Sequence, residues 1–260
     1  MGSPDKTQPV PHGKGLAAAY HTYFTSGHYD KRYPHPNLTT WHRILAILPK
    51  AAHLIDFGCG SGRYLLSLKG HVGMAAGFDI STAALALLQE RAQQQGWADL
   101  GVLGPDPIAL SEYVKGAGQA DVVLCLFGVL AHVSDALERQ QALAQIHAAL
   151  KPGTGTLLIS VPNKLRRFHA EQRRAGADDV IEYHRQMGST HLTLPYQLYD
   201  PQRLTRELAA AGFSVLSLRA ESVFPESWLL NHATARWLDR LLTPLCPAAW
   251  GYGILAEARA

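Results

Sequence analysis

The run His53-Leu54-Ile55-Asp56-Phe57-Gly58-Cys59-Gly60-Ser61-Gly62-Arg63 constrains the fold of this chain more than any other segment. A short apolar strand closes on an acid, turns through glycines at alternate positions and enters a predicted helix over 61–69. Without a Cβ, glycine lets the backbone turn sharply and approach a ligand closely. The start of a helix presents unpaired N–H groups. An open α/β sheet holds a nucleoside-type ligand in this way at the end of its first strand. Asp56, Gly58, Cys59, Gly60 and Gly62 are the residues placed to touch it. A dinucleotide turn needs Gly-x-Gly-x-x-Gly. Here Arg63 stands where the third glycine of that pattern belongs, so the loop does not suit a pyrophosphate. A Gly-rich turn with no ligand is the plain alternative.

A second acid narrows the reading. The spacing predicts strand two over 73–79, ending in Asp79 and followed by Ile80. An acid about 20 residues past the Gly loop is placed to accept hydrogen bonds from a ribose diol. Asp79 could instead cap the helix predicted over 82–95, a task that Ser81 can also perform. Strand and helix then alternate, which marks a parallel sheet covered on both faces. Further strands are predicted over 99–103, 120–126, 155–161, 213–220 and 253–258, and helices over 107–115, 134–150, 201–211 and 228–242. Residues 38–48 read as an amphipathic helix capped by Asn37. The segment 163–199 reads as irregular.

Asp56-x-Gly-x-Gly-x-Gly, Asp79, the strand-four exit Leu126-Phe127-Gly128-Val129-Leu130-Ala131-His132 and the turn Leu150-Lys151-Pro152-Gly153 together resemble class I S-adenosylmethionine-dependent methyltransferases. The last differs mildly from the family's Leu-x-Pro-Gly-Gly, with Thr154 at the second glycine. The resemblance covers residue 53 to the C-terminus. It implies a Rossmann-like, mostly parallel α/β sheet with helices on both faces, an N-terminal helical lid and an insertion after strand five. On this reading residues 1–15 are a mobile tail, 16–50 a helical cap and 51–260 the methyltransferase domain, with 163–199 recognising substrate. The cofactor implied is S-adenosylmethionine, with Asp79 binding both ribose hydroxyls and Phe127 and Tyr20 beside the cofactor.

Methyl transfer mainly requires alignment and exclusion of water; an ammonium or hydroxyl acceptor also needs a base. His132 is the candidate base. Phe127 and His132 match the spacing of a similar strand exit in amino-sugar N-methyltransferases, although a histidine here can equally pack beside the cofactor. Tyr20, His21, Tyr23 and Tyr29 lie in a segment that closes over the methionine part in similar enzymes, where aromatic faces can stabilise a sulfonium; a flap that only packs is the alternative. Five basic residues fall within 164–174. Arg166 and Arg167 can bind phosphate or carboxylate, or the run is a solvated helix face. Tyr183, His184, His191, Tyr196 and Tyr199 lie in the same insertion, and Tyr23, Tyr29, His191 and Tyr196 join the two arginines as candidate substrate contacts.

The acceptor expected is an oxygen or nitrogen of a small molecule, such as a natural-product or sugar-like intermediate. A tRNA-modifying enzyme is the alternative, because the strand-four-to-five region resembles that of wobble-uridine methyltransferases. A net charge of +3 and the absence of a recognisable RNA-binding module argue against nucleic acid. A non-catalytic cofactor-binding subunit is the third reading. Three cysteines, 59, 125 and 246, lack metal-ligand spacing, so no metal is expected and a reducing, cytoplasmic setting is. No apolar run of membrane-spanning length occurs. Helix 228–242, with Trp237 and Arg240, suits a peripheral membrane contact, core packing or a dimer face. A monomer or homodimer is expected.

Overall fold

The central strands divide their side chains between two cores, as a two-residue period requires. In the computed structural model, which describes residues 14–175, 179–187 and 190–260, the sheet contains β1 (His53–Phe57), β2 (Met74–Phe78), β3 (Gly101–Leu103), β4 (Val122–Cys125) and β5 (Thr156–Pro162). Leu54, Leu124 and Leu158 point into one core, with Ile44, Leu65 and Leu88. Ile55, Val123 and Ile159 point into the other, with Leu143, Ile146 and Leu204. Burial of each such side chain is worth about 1.5–3 kcal/mol, which is why these strands read as nearly continuous apolar runs.

The seven-stranded sheet has the order β3-β2-β1-β4-β5-β9-β8. Here β8 is Ser214–Ser222 and β9 is Gly253–Arg259. The first five strands pair in parallel, and β9 runs antiparallel between β5 and β8. The winding reverses between β1 and β4, and the strand ends there open a crevice for a ligand. This is the Rossmann-like, mostly parallel sheet expected.

The helices of the doubly wound core are α4 (Thr82–Gln94), α5 (Ile108–Ala117), α6 (Ala136–Ala149) and α8 (Pro201–Ala210). Three more precede the sheet: α1 (Lys14–Thr25), α2 (His28–Arg32) and α3 (Leu38–Ile47). Asn37 caps α3, its side chain accepting the Thr40 N–H at 3.2 Å. Residues 1–13 of the expected tail lie outside the described residues.

Three elements differ from the sequence reading. The helix expected over 61–69 is a set of turns with one 3₁₀ helix, Leu65–Leu68. Gly62 has φ 92° and Gly70 φ 82°, so left-handed positions bound the segment, and within it the Ser67 N–H bonds the Tyr64 carbonyl three residues back rather than four. The helix expected over 228–242 is broken into α9 (Glu226–Asn231) and α10 (Ala233–Leu242) by an extended His232. Arg236 holds the break by donating to the Leu229 and Leu230 carbonyls at 2.9 and 3.1 Å. The segment read as irregular carries α7 (His169–Ala175) and an antiparallel hairpin, β6 (Val180–Met187) with β7 (Thr190–Gln197). Its signal was present: Ile181 and Tyr183 alternate on one strand and face Tyr196 and Leu194 on the other, a period-two pattern.

Candidate active site

A cavity of about 1260 Å³ opens at the carboxyl ends of β1, β2, β4 and β5. Gly58, Gly60, Asp79 and Ile80 border it on one side. Gly60 has φ 54°, and a Cβ there would stand 3.0 Å from the Phe24 ring. Its N–H donates to Asp79 Oδ2 at 2.8 Å, and the Ser81 N–H donates to Asp79 Oδ1 at 2.8 Å. The acid at the end of β2 is therefore fixed by the loop after β1. Burial raises its carboxyl above the usual range, and backbone N–H groups oppose that rise. The capping alternative goes to Ser81, whose hydroxyl accepts the Ala84 N–H at 3.3 Å. Asp79 is left with spare acceptor capacity at the cavity wall, which fits a ribose diol.

The other expected loop contacts need correction. Asp56, Cys59 and Gly62 do not border the cavity. Asp56 is buried behind the loop, and burial, reinforced by the Asp79 charge, pushes its carboxyl up to about 7. Cys59 is also buried, and its thiol is pushed well up by burial and the two nearby carboxylates. Asp56 lies within β1 and is enclosed behind the turn, whereas Asp79 stands one residue past β2, where the Gly60 N–H reaches it at the cavity wall.

Phe127 and His132 follow β4. Phe127 adopts φ 63°, a conformation that a bulky residue takes only when its surroundings enforce it. Ser160 enforces it: its hydroxyl accepts the Phe127 N–H at 2.7 Å, and its carbonyl accepts the Gly128 N–H at 3.0 Å. His132 lies in a short 3₁₀ helix between two rings from distant parts of the chain. Tyr20 of α1 meets it edge-on at 5.4 Å, and Tyr196 of β7 lies 4.5 Å away, centroid to centroid. The N-terminal helices and the hairpin thus meet over the strand-four exit. Tyr23 packs on Leu194 in the same roof, and Tyr29 and Tyr33 pack against Phe127 at 6.2 and 4.6 Å. Desolvation holds the Tyr29 hydroxyl far above its ordinary value, so it stays protonated.

The basic run divides. Arg167 borders the cavity and stacks on Phe168 and Tyr252 at 4.7 and 4.6 Å. Arg166 is exposed and does not border the cavity, which corrects its expected substrate contact. The backbone of His191 lies in β7 opposite Gln186; its side chain lies outside the description. His184 is exposed and Tyr199 is buried beneath the hairpin, donating to Glu207 at 2.8 Å.

Two acids escaped the sequence reading. Glu221 borders the cavity near the end of β8. Its carboxylate accepts from Thr40 Oγ1 at 3.1 Å and from the Ser160 hydroxyl. Burial, then the neighbouring Glu226 charge, pushes it up to about 7. Glu226 also borders the cavity and is paired with Arg63, whose guanidinium lies 4.7 Å over the Phe127 ring. The signal that marked Asp79, an acid at a strand's carboxyl end, applies equally to Glu221. The strand predicted over 213–220 stops one residue short of it, whereas β8 runs to Ser222.

The family model described as "Methyltransferase domain" matches residues 29–218. The chain is 34% identical over 122 residues to an uncharacterized protein of Synechococcus sp., an alignment covering 46% of this chain and 27% of that protein. It is 30% identical over 115 residues to the ubiquinone biosynthesis O-methyltransferase of Coxiella burnetii, covering 44% of this chain and 45% of the relative. The chain therefore spans less than half the length of each of these relatives. Among solved structures, an S-adenosylmethionine-dependent methyltransferase from Clostridium acetobutylicum superposes with a TM-score of 0.64 at 13% identity, covering 92% of this chain and 98% of the other.

Proposed function

The chain belongs to the methyltransferase-domain family, and from that premise we propose that it transfers a methyl group from S-adenosylmethionine to an oxygen or nitrogen of a small molecule. The observation carrying this is the cavity. A single drug-sized ligand fills about 300–1,000 Å³, and 1260 Å³ gives room for cofactor and acceptor under one roof. Its second half is walled by Phe168, Tyr183, Tyr196 and Tyr252, which suits a molecule with apolar or planar surface rather than a polyanion. A relative that acts in ubiquinone biosynthesis as an O-methyltransferase supports the same class.

The cofactor supplies a methyl group already activated by positive sulfur. Asp79 and the Gly58–Gly60 backbone hold the nucleoside end, and Tyr20, Tyr23 and Tyr29 exclude water from the opposite side. His132 stands under the roof with its ring fixed by Tyr20 and Tyr196, where it takes the acceptor's proton. Incubating the protein with methyl-labelled cofactor and either a metabolite extract or bulk tRNA tests the reading. Label in the small-molecule fraction is expected; label confined to tRNA overturns it.

A further inference from the structure

Helix α10 is mounted with its polar side inward. Asp239 is only 5% exposed, and its Oδ1 accepts the Val223 and Phe224 N–H groups at 2.7 and 3.1 Å. Thr243, one turn on, is also buried. The opposite side presents Trp237 at 63% exposure, with Leu238, Leu241 and Leu242 exposed beside it. The apolar surface continues into the turns that follow, where Leu245 is 83% exposed. Trp228 on α9 and Trp250 are exposed too, so three of the chain's five tryptophans lie outward on one 25-residue stretch, 226–250. Single exposed leucines are ordinary, but a run of this kind marks a surface that another phase or molecule covers.

Charge decides what covers it. The only acids in 226–250 are Glu226 and Asp239. Glu226 is paired with Arg63, and Asp239 is buried on backbone amides. The exposed charges that remain on the stretch are Arg236 and Arg240. A two-fold contact with a second copy sets the same patch against itself, bringing arginine toward arginine with no acid of the stretch to pair them. A lipid surface with anionic headgroups pairs both guanidiniums, takes leucine into the acyl boundary and places tryptophan at headgroup level.

We propose that residues 226–250 seat this protein in the plane of an anionic lipid surface. No helix among the described residues is long and apolar enough to cross a membrane, so the contact is peripheral. The stretch leaves the cavity wall at Pro225–Ser227 and returns to it at Tyr252–Gly253, so a bilayer held against it lies beside the cavity. This docking does not depend on which acceptor is methylated.

Vesicle co-sedimentation of the full chain tests it, using phosphatidylcholine with and without phosphatidylglycerol. S-adenosylhomocysteine calorimetry and circular dichroism confirm that each variant is folded. Binding to the anionic vesicles is expected, with a blue shift of tryptophan emission and weakening by salt. Trp237→Ser with Leu241→Ser should lower binding at least tenfold. Arg240→Gln should lower only the anionic component, about fivefold for one basic residue near the surface. Absence of binding at low salt overturns the proposal, as does full binding by the folded double variant. A solution dimer that the double variant dissociates would assign the face to a second copy and equally overturn it.

Discussion

Replacing Asp79 separates cofactor recognition from loop architecture. Each of its carboxylate oxygens accepts one backbone N–H at 2.8 Å, from Gly60 and from Ser81. Asp79→Ala leaves both donors without that acceptor, at about 1–3 kcal/mol each, so a stability loss of about 2–6 kcal/mol is expected. Asp79→Asn keeps one oxygen and sets an amide NH₂ against the other donor, so about half of that loss is expected. Relief of the burial that raises Asp79 returns part of it. For binding, two charge-assisted bonds to a diol are worth about 1.5–3 kcal/mol each. Losing both at the lower value is about 3 kcal/mol, or roughly a hundredfold in Kd. Calorimetry with S-adenosylhomocysteine and with its 2′-deoxy analogue, alongside urea unfolding, separates the two effects. The parent should discriminate against the deoxy analogue, and the Ala variant should not. A folded Asp79→Ala protein with parental affinity would refute the assignment.

Three further outcomes follow from the same geometry. His132→Ala should lower turnover by about 10²–10⁴-fold, the range of general acid–base catalysis, with S-adenosylhomocysteine affinity nearly unchanged by calorimetry; loss of affinity alone would make His132 a packing residue. Ser160→Ala removes the acceptor of the Phe127 N–H and a donor to Glu221, so urea titration should show about 1–3 kcal/mol of lost stability, and an unchanged midpoint would mean that Phe127 holds its positive φ unaided. Glu221 is pushed from its ordinary 4.5 to about 7, so the folded state binds more protons than the unfolded state between those values and stability falls as pH rises through that window. Glu221→Gln should remove that share of the slope, about 1–3 kcal/mol for a group that borders the cavity, leaving the contribution of Asp56, which is likewise pushed up to about 7. Parallel pH-stability curves for parent and variant would contradict it.

Much of this protein was legible from its residues in order. A strand's two-residue period, the steric freedom of glycine and the capping chemistry of Asn37 and Ser81 act over a few positions, so the alternating elements, the Gly loop and Asp79 could be read directly. The hairpin 180–197 is equally local in its signal, with Ile181 and Tyr183 alternating opposite Tyr196 and Leu194. The segment over 61–69 is the opposite case: its residues suit a helix, and the folded chain takes turns and one 3₁₀ helix there between left-handed Gly62 and Gly70.

What only the tertiary structure decided is which side chains reach the cavity. Asp56 lies within β1 and Asp79 one residue beyond β2, yet one is buried behind the loop and the other borders the site, because the loop after β1 folds over the first and donates its Gly60 N–H to the second. Glu221 meets Ser160 because β9 inserts antiparallel between β5 and β8, a closure linking positions far apart in sequence. His132 is bracketed by Tyr20 and Tyr196 through the same long-range assembly. Local sequence sets backbone preference and periodicity, whereas the environment of a charge or a ring is set by whichever distant elements the packed sheet brings against it.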